Sequence, residues 1–199
     1  MKKIIALAAC ALALAASLEA KPKDLVLKVN FEGNEALYTK NGGEKVFLPK
    51  KNRSTEGFET FYFDSKGKTY EFGIKAEGTF ERDGKTNKIS YAYYPSKNAM
   101  LLLGQGACIK TPAIKGMALT KVILKNNNMG SGYRTVYISE TETTDGEIAR
   151  LKSPCIESEL DGVKALSDTK ANTSYYLIPK IGVSNILVAE LVLYYSAAK

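Results

Sequence analysis

Four polar or aromatic residues at strand ends have the side chains that bind a hydroxyl-rich ligand. Tyr94 and Asn98 flank a proline, and Tyr133 and Arg134 follow the amide- and glycine-rich stretch 126–132. A tyrosine ring stacks on the C–H face of a sugar at small entropic cost, and amide and guanidinium groups hydrogen-bond its hydroxyls. These four residues are the predicted ligand-binding set. The alternative is that 126–132 is an ordinary solvated hairpin loop.

A second group of residues is acidic. Glu140, Glu142, Asp145 and Glu147 lie close together in the sequence. Carboxylate oxygens could hold Ca²⁺, and a pair of carboxylates could hydrolyse a glycosidic bond. The spacing does not match an EF-hand loop, so a solvated acidic loop is the simpler interpretation. We therefore expect no metal or other cofactor, with Ca²⁺ as the alternative.

The composition argues against several function classes. The 199-residue chain has no histidine, which removes Ser-His-Asp and Cys-His catalysis and most zinc sites. It also has no tryptophan but twelve tyrosines. We therefore expect a protein that is not an enzyme.

The net charge of +7 comes mostly from dispersed lysines. The one dense basic group is Lys45, Lys50, Lys51 and Arg53. A basic, soluble surface explains this charge. Without a recognition helix or a basic stripe, we expect no nucleic-acid partner.

The beginning of the chain predicts export. Residues 1–20 have a charged start, an apolar run over 4–18 and small residues ending at Ala20, which is typical of a secretory signal peptide. The run is shorter than the roughly 20 residues of a membrane-spanning helix. We expect a periplasmic, cell-surface or secreted protein with no transmembrane segment in the mature chain. The alternative is a lipoprotein anchored at Cys10, because residues 7–10 are similar to a lipidation motif.

Two cysteines follow the predicted signal peptide. Cys108 and Cys155 form an even pair in an exported chain, which favours a disulfide. The bridge would close a long loop, worth about 4 kcal/mol in the loop-entropy model. The alternative is two buried free thiols that pack as small apolar groups.

The pattern of apolar residues indicates strands throughout. Residues 100–126 contain three short apolar runs split by glycine- and proline-containing turns, which predicts three strands. Residues 69–81 alternate apolar and polar, interrupted on the polar side only by Gly73. Gly73 or Gly78 is expected to mark a bend. With no helical stripe, residues 21–199 predict one all-β domain, an antiparallel β-sandwich.

The parity of individual strands predicts which residues are buried. Tyr91 and Tyr93 share one parity and are expected in the core, as are Val136 and Ile138. In the final strand, 186–195, the residues of one parity are expected to share a single face. They are Leu187, Ala189, Leu191, Leu193 and Tyr195.

Several of these segments together resemble a known family. The segments 106–116, 119–122, 134–139 and 185–195 are similar to strands and turns of bacterial exported galactose-binding-like, or discoidin-type, domains. The resemblance covers about 70–195. It implies a jelly roll that binds carbohydrate through loops at one end of the sandwich. The lack of tryptophan departs from that pattern and leaves tyrosine and phenylalanine as the stacking residues.

The functional prediction is an exported, non-enzymatic binding module for carbohydrate or another cell-envelope polymer. One alternative is a structural or assembly protein of the envelope that makes protein contacts through a sheet face or edge. The other is a carboxylate-dependent enzyme acting on glycosides. A fold alone does not separate these functions.

Overall fold

Short alternations of apolar and polar residues, separated by turn residues, form strands. The computed structural model describes residues 24–31, 37–41, 44–94, 100–126, 132–142, 147–153, 158–159, 170–180 and 185–198. Within these ranges the chain has sixteen strands and no helix. The strands are β1 (Leu25–Asn30), β2 (Tyr38–Asn41), β3 (Glu44–Phe47), β4 (Phe58–Ser65), β5 (Lys68–Lys75), β6 (Thr79–Arg82), β7 (Lys85–Lys88), β8 (Tyr91–Tyr94), β9 (Met100–Leu103), β10 (Cys108–Lys110), β11 (Met117–Asn126), β12 (Gly132–Ser139), β13 (Glu147–Ser153), β14 (Ser158–Glu159), β15 (Tyr176–Pro179) and β16 (Ile186–Ala197).

Two antiparallel sheets make up most of the described chain. The smaller sheet has six strands in the order β14-β11-β16-β9-β8, with β1 also paired to β16. The larger sheet has eight strands in the order β13-β12-β15-β10-β5-β4-β2-β3, and β6 and β7 form a separate hairpin. The prediction of an antiparallel all-β sandwich is confirmed. The finer expectation of a jelly roll is not confirmed by this strand order.

The stretch 100–126 forms the three predicted strands. The first and third, β9 and β11, lie in the smaller sheet, and β10 lies in the larger sheet. Gly106 and Gly116, in the two connections, have φ angles of 77° and 72°, which favour glycine. The stretch therefore links the two sheets.

The core lies between the two sheets. Tyr91 and Val136 are buried there, and so are Tyr93 and Ile138, as their parity predicted. Full burial of a large apolar side chain stabilises the folded state by about 1.5–3 kcal/mol relative to leaving it exposed. Other fully buried residues are Leu27, Phe31, Leu37, Phe61, Phe63, Phe72, Ile74, Ile109 and Tyr195.

Two-residue turns join β4 to β5 and β6 to β7. Lys66 and Gly67 have φ angles of 51° and 74°, and Asp83 and Gly84 have 52° and 69°. Positive φ at both central residues is the type I′ turn that suits antiparallel hairpins. Gly78, with a φ of 92°, separates β5 from β6. The alternating segment 69–81 is therefore bent at one of the two predicted glycines.

The prediction that one parity of 186–195 forms a single face is wrong. Leu187 belongs instead to a separate apolar cluster with Ala92, against which Ala189 packs. The pairing of β16 with β11 skips Ala189, which makes a β-bulge. Beyond this bulge the side-chain alternation is reversed, so Leu191 lies in the main core.

Some predictions fall on residues outside the described ranges. The signal peptide 1–20 and Cys10 are among them, so export and lipidation stay predictions. Cys108 is buried, and Cys155 is also outside the described ranges, so the disulfide stays a prediction. Among the residues that the structure does describe, no helix has the length and hydropathy needed to cross a membrane.

Candidate ligand groove on the larger sheet

A groove runs along β5 because its neighbour, β10, is only three residues long. The last residue of β10, Lys110, lies opposite Gly73. Pro112, two residues after Lys110, has no backbone N–H and cannot donate a hydrogen bond to a sheet. Residues 69–72 of β5 therefore have no partner from β10, and a cavity of about 520 Å³ lies beside them. We call this cavity the β5 groove.

Three hydrogen bonds hold the segment after β10 in a direction that leads away from β5. The Thr111 backbone N–H donates to the Tyr175 carbonyl at 2.9 Å, and the Tyr175 N–H donates to Thr111 Oγ1 at 2.9 Å. The buried Tyr195 hydroxyl donates to the Pro112 carbonyl at 2.7 Å. These bonds set the position of residues 113–114, which form one wall of the groove.

The open edge of β5 also contributes backbone groups to the groove. The type I′ turn makes Ser65 and Lys68 the hydrogen-bonded pair next to the turn. Because bonded and non-bonded pairs alternate along antiparallel strands, Thr69 and Glu71 direct their N–H and C=O groups away from β4. That direction is toward the groove, which both residues line.

Gly73 lets an aromatic ring and a lysine meet at one end of the groove. A Cβ on Gly73 would come within 2.9 Å of Lys110 Cβ and 3.0 Å of Phe58 Cδ1. The Phe58 and Tyr176 ring centroids are 5.9 Å apart at an interplanar angle of 51°. Lys110 Nζ lies 5.8 Å from the Phe58 centroid and 6.0 Å from that of Tyr176. These distances are within the range of cation–π attraction.

A second lysine also lies within cation–π distance of the Phe58 ring. Lys75 Nζ lies 5.3 Å from the Phe58 centroid and forms an ion pair with Glu142. The hydrogen bond that Lys75 donates to the Glu142 carboxylate raises the pKa of Lys75 against the opposing effect of burial, so the ammonium stays charged. Glu71, in contrast, is exposed, with no ion pair to another described residue. The groove therefore offers a carboxylate, an ammonium and a ring to a ligand.

Three of the four predicted ligand-binding residues lie in strands that the structure describes. Tyr94 ends β8 in the smaller sheet, where its backbone pairs with Met100. Tyr133 and Arg134 lie in β12 of the larger sheet. Asn98 and the side chains of the other three lie outside the described residues. The strands of Tyr94 and of Tyr133 thus belong to different sheets, and the binding role of all four stays a prediction.

Two of the clustered acids are already paired with lysines. Glu140 accepts from Lys170 Nζ at 2.9 Å and from the Tyr175 hydroxyl at 3.3 Å. Glu142 pairs with Lys75, as described above. Asp145 and the side chain of Glu147 lie outside the described residues. Within the described part of the chain, no three metal-ligating side chains form a cluster.

Sequence reasoning missed the residues that line the groove, although one signal pointed there. Gly73 interrupts the polar parity of 69–81, and its lack of a side chain is what admits Phe58 and Lys110. The position was predicted as a bend. A glycine on the exposed parity of a strand also marks a close approach of another group.

Within the described part of the chain, the fold and the groove define an all-β sandwich in which part of β5 has no strand partner on one side, next to an aromatic and charged surface. No protein-family model matches the chain, and no curated protein matches it. The resemblance to galactose-binding-like domains therefore stays a prediction.

Proposed function

We propose that the protein is an exported, non-enzymatic module that binds a carbohydrate chain of the cell envelope in the β5 groove. The observation that carries the proposal is the lining of the groove. Phe58, Lys110 and Glu71 lie around one cavity of about 520 Å³, together with the hydroxyl of Thr60. Ligand pockets have volumes of about 300–1,000 Å³.

The chemistry of a pyranose matches this lining. A sugar ring has an apolar C–H face, which packs on an aromatic ring such as Phe58. Its hydroxyls both donate and accept, so they can bond the Glu71 carboxylate and the Lys110 ammonium. The backbone groups of Thr69 add one donor and one acceptor at the open edge of β5. Because a positive and a negative side chain line the groove together, a neutral polymer fits it better than a highly charged one.

The groove favours binding over hydrolysis. Glycoside hydrolysis uses two carboxyl groups, about 5–10 Å apart, on either side of the scissile bond. Glu71 is the single carboxylate among the described residues that line the groove. A polysaccharide bound in the groove would therefore contact one carboxylate, and its glycosidic bonds would stay intact.

The proposal is tested with the protein purified after export, by a glycan array followed by calorimetry on the best binder. Glu71→Gln is expected to weaken binding about tenfold, as for the loss of a charge-assisted hydrogen bond of about 1.4 kcal/mol. Gly73→Ala is expected to abolish it, because the added methyl displaces Phe58 and Lys110. The matched control is Glu44→Gln, an exposed carboxylate on the same sheet outside the groove.

The outcomes separate the site from the function. Binding that is unaffected by Glu71→Gln and Gly73→Ala but lost in Tyr94→Ala or Arg134→Ala would move the site to the residues predicted from the sequence. Bound oligosaccharide that is recovered cleaved would contradict the non-enzymatic function. An array without any hit at high protein concentration would overturn carbohydrate binding.

A further inference from the structure

A second cavity lies where the β2–β3 hairpin separates from the larger sheet. The two strands of this hairpin pair along all four residues. In contrast, β2 pairs with β4 at one position, Tyr38 opposite Tyr62. A cavity of about 370 Å³ opens between the hairpin and the first half of β4. We call it the hairpin pocket.

Four of the nine residues that line the hairpin pocket are apolar and form one part of its wall. Val46 and Phe47 come from β3, Phe61 from β4 and Pro49 from the segment that follows β3. Val46 is 45% exposed and Phe47 is 39% exposed, and among the described residues these are the exposed large hydrophobic side chains. Exposed apolar surface beside a cavity is typical of a ligand or partner site.

A polar group lies at one side of the pocket. Arg53 Nη2 donates to Glu59 Oε1, and the Tyr91 hydroxyl donates to Glu59 Oε2. Burial, together with the bond to Glu59, raises the pKa of Tyr91, so its hydroxyl stays a donor. Both carboxylate oxygens of Glu59 are therefore occupied from within the protein.

Arg53 is held in place while most of its guanidinium is left for a ligand. Its backbone N–H donates to the Tyr91 carbonyl at 2.9 Å and its carbonyl accepts from the Tyr91 N–H at 2.9 Å. The side chain is 55% exposed. A guanidinium has five N–H donors, and Glu59 takes one of them in the described structure.

The charge beside the pocket is positive. Lys50 and Lys51 are exposed and lie between the lining residues Pro49 and Arg53. Glu59 balances one of the three positive side chains, which leaves two in excess. The rim therefore attracts an anion, and the apolar part of the wall accepts an apolar chain.

We propose that the hairpin pocket binds an amphiphile with an apolar chain and an anionic head group. The chain packs against Val46, Phe47 and Phe61, and the head group accepts hydrogen bonds from Arg53. Two sources have this chemistry, a free long-chain acid and an anionic membrane lipid. The proposal does not depend on carbohydrate binding, because the groove and the pocket share only Thr60 among their lining residues.

The test compares dodecanoate with dodecanol in calorimetry on the purified full protein. Dodecanoate is expected to bind one to one, and dodecanol at least about tenfold more weakly, since it lacks the charge that Arg53 recognises. Arg53→Gln is expected to weaken dodecanoate by a similar factor. The matched control is Arg82→Gln, whose side chain is 56% exposed and also pairs with a carboxylate, but lies in the β6–β7 hairpin.

A second variant keeps the test valid if Arg53→Gln alters the fold. Val46→Ser changes an exposed wall residue and is expected to weaken dodecanoate about tenfold, whereas Val26→Ser, in β1, leaves it unchanged. Equal binding of dodecanol and dodecanoate, or full binding by Val46→Ser, would overturn the proposal.

Vesicles then separate the two sources. Co-sedimentation with phosphatidylglycerol vesicles, but not with phosphatidylcholine, that is lost in Val46→Ser would assign the head group to a membrane lipid. Binding of dodecanoate without co-sedimentation would identify the ligand as a free long-chain acid. Failure of both, with self-association that Val46→Ser abolishes, would overturn the proposal in favour of a protein interface.

Discussion

Gly104 lies in direct contact with the backbone of Ser90. Its N–H donates to the Ser90 carbonyl at 2.8 Å, and a Cβ on Gly104 would come within 2.4 Å of the same oxygen. Gly104 separates β9 from β10, and Ser90 directly precedes β8. The contact therefore fixes the connection between the two sheets to a strand of the smaller sheet.

Gly104→Ala is expected to lower the free energy of unfolding by about 1–3 kcal/mol, because the backbone must move to admit the methyl group. Urea denaturation followed by circular dichroism measures the change. The control is Gly84→Asn, since a side chain at Gly84 meets nothing within 4 Å and asparagine tolerates a positive φ. An unchanged midpoint for Gly104→Ala would contradict the close contact.

Asp64 holds the β2–β3 hairpin to β4 and makes the hairpin sensitive to acid. Its carboxylate accepts from Thr69 at 2.7 Å, from Lys45 at 2.9 Å and from the Tyr38 hydroxyl at 3.0 Å. These bonds, led by Thr69, lower the pKa of Asp64 to about 2. The folded-state pKa is below the unfolded value of 3.8, so this stabilisation is present above pH 4 and is lost as the pH falls toward 2.

Asp64→Asn is therefore expected to destabilise the protein near pH 6 and to have little effect near pH 2. Urea midpoints measured across that range for wild type and variant test the convergence. Hydrogen exchange of residues 38–47 should rise in the variant, because the hairpin loses its anchor. Asp24→Asn is the control. A difference between wild type and Asp64→Asn that is constant with pH would contradict this account.

Tyr195→Phe tests the bond that shapes the wall of the β5 groove. The Tyr195 hydroxyl is buried, burial raises its pKa, and it donates to the Pro112 carbonyl. Its removal leaves that carbonyl without its partner, at a cost of about 1–3 kcal/mol. The neighbouring Tyr194→Phe is the matched control, since Tyr194 is half-buried and its ring lies 5.6 Å from Lys121 Nζ. Equal stability of the two variants would contradict the role of the bond.

The Cys108 thiol is expected to resist alkylation in the folded protein. It is 2% exposed, and burial raises its pKa to about 12, so the thiolate is scarce at pH 8. Reduced protein treated with iodoacetamide should be modified at this position only after unfolding in urea. Thr120→Cys, at an exposed strand position, is the reactive control. Rapid modification of native Cys108 would contradict its burial. Digestion without reductant tests the predicted link to Cys155.

Much of the fold could be predicted because strand formation and burial follow a local pattern. The burial of Tyr91 and Ile138 followed from their parity alone. The expectation that one parity of the last strand forms a single face was wrong, because the bulge at Ala189 arises from pairing with β11, a distant segment. The alternation of apolar and polar residues along one strand does not show where its partner strand will introduce a bulge.

The candidate sites were less accessible to sequence reasoning. Arg53 was noticed as part of a basic group, but its partners Glu59 and Tyr91 lie on two other strands. Gly73 was noticed as an irregularity, and the residues that close around it come from β4 and β10. The side chains of Tyr94 and Arg134 lie outside the described residues, so their predicted role stays open to the binding experiments above.

The sequence by itself determined the all-β class, most strand positions and the buried parity of most strands, because side-chain alternation is a property of neighbouring residues. The tertiary structure alone decided where strands stop short of their neighbours. The β5 groove exists because β10 ends opposite Gly73, and the hairpin pocket exists because β2 pairs with β4 at one position. Each cavity lies where two segments that are distant in the sequence are not paired along their full length. The packing of the whole chain decides where that pairing ends.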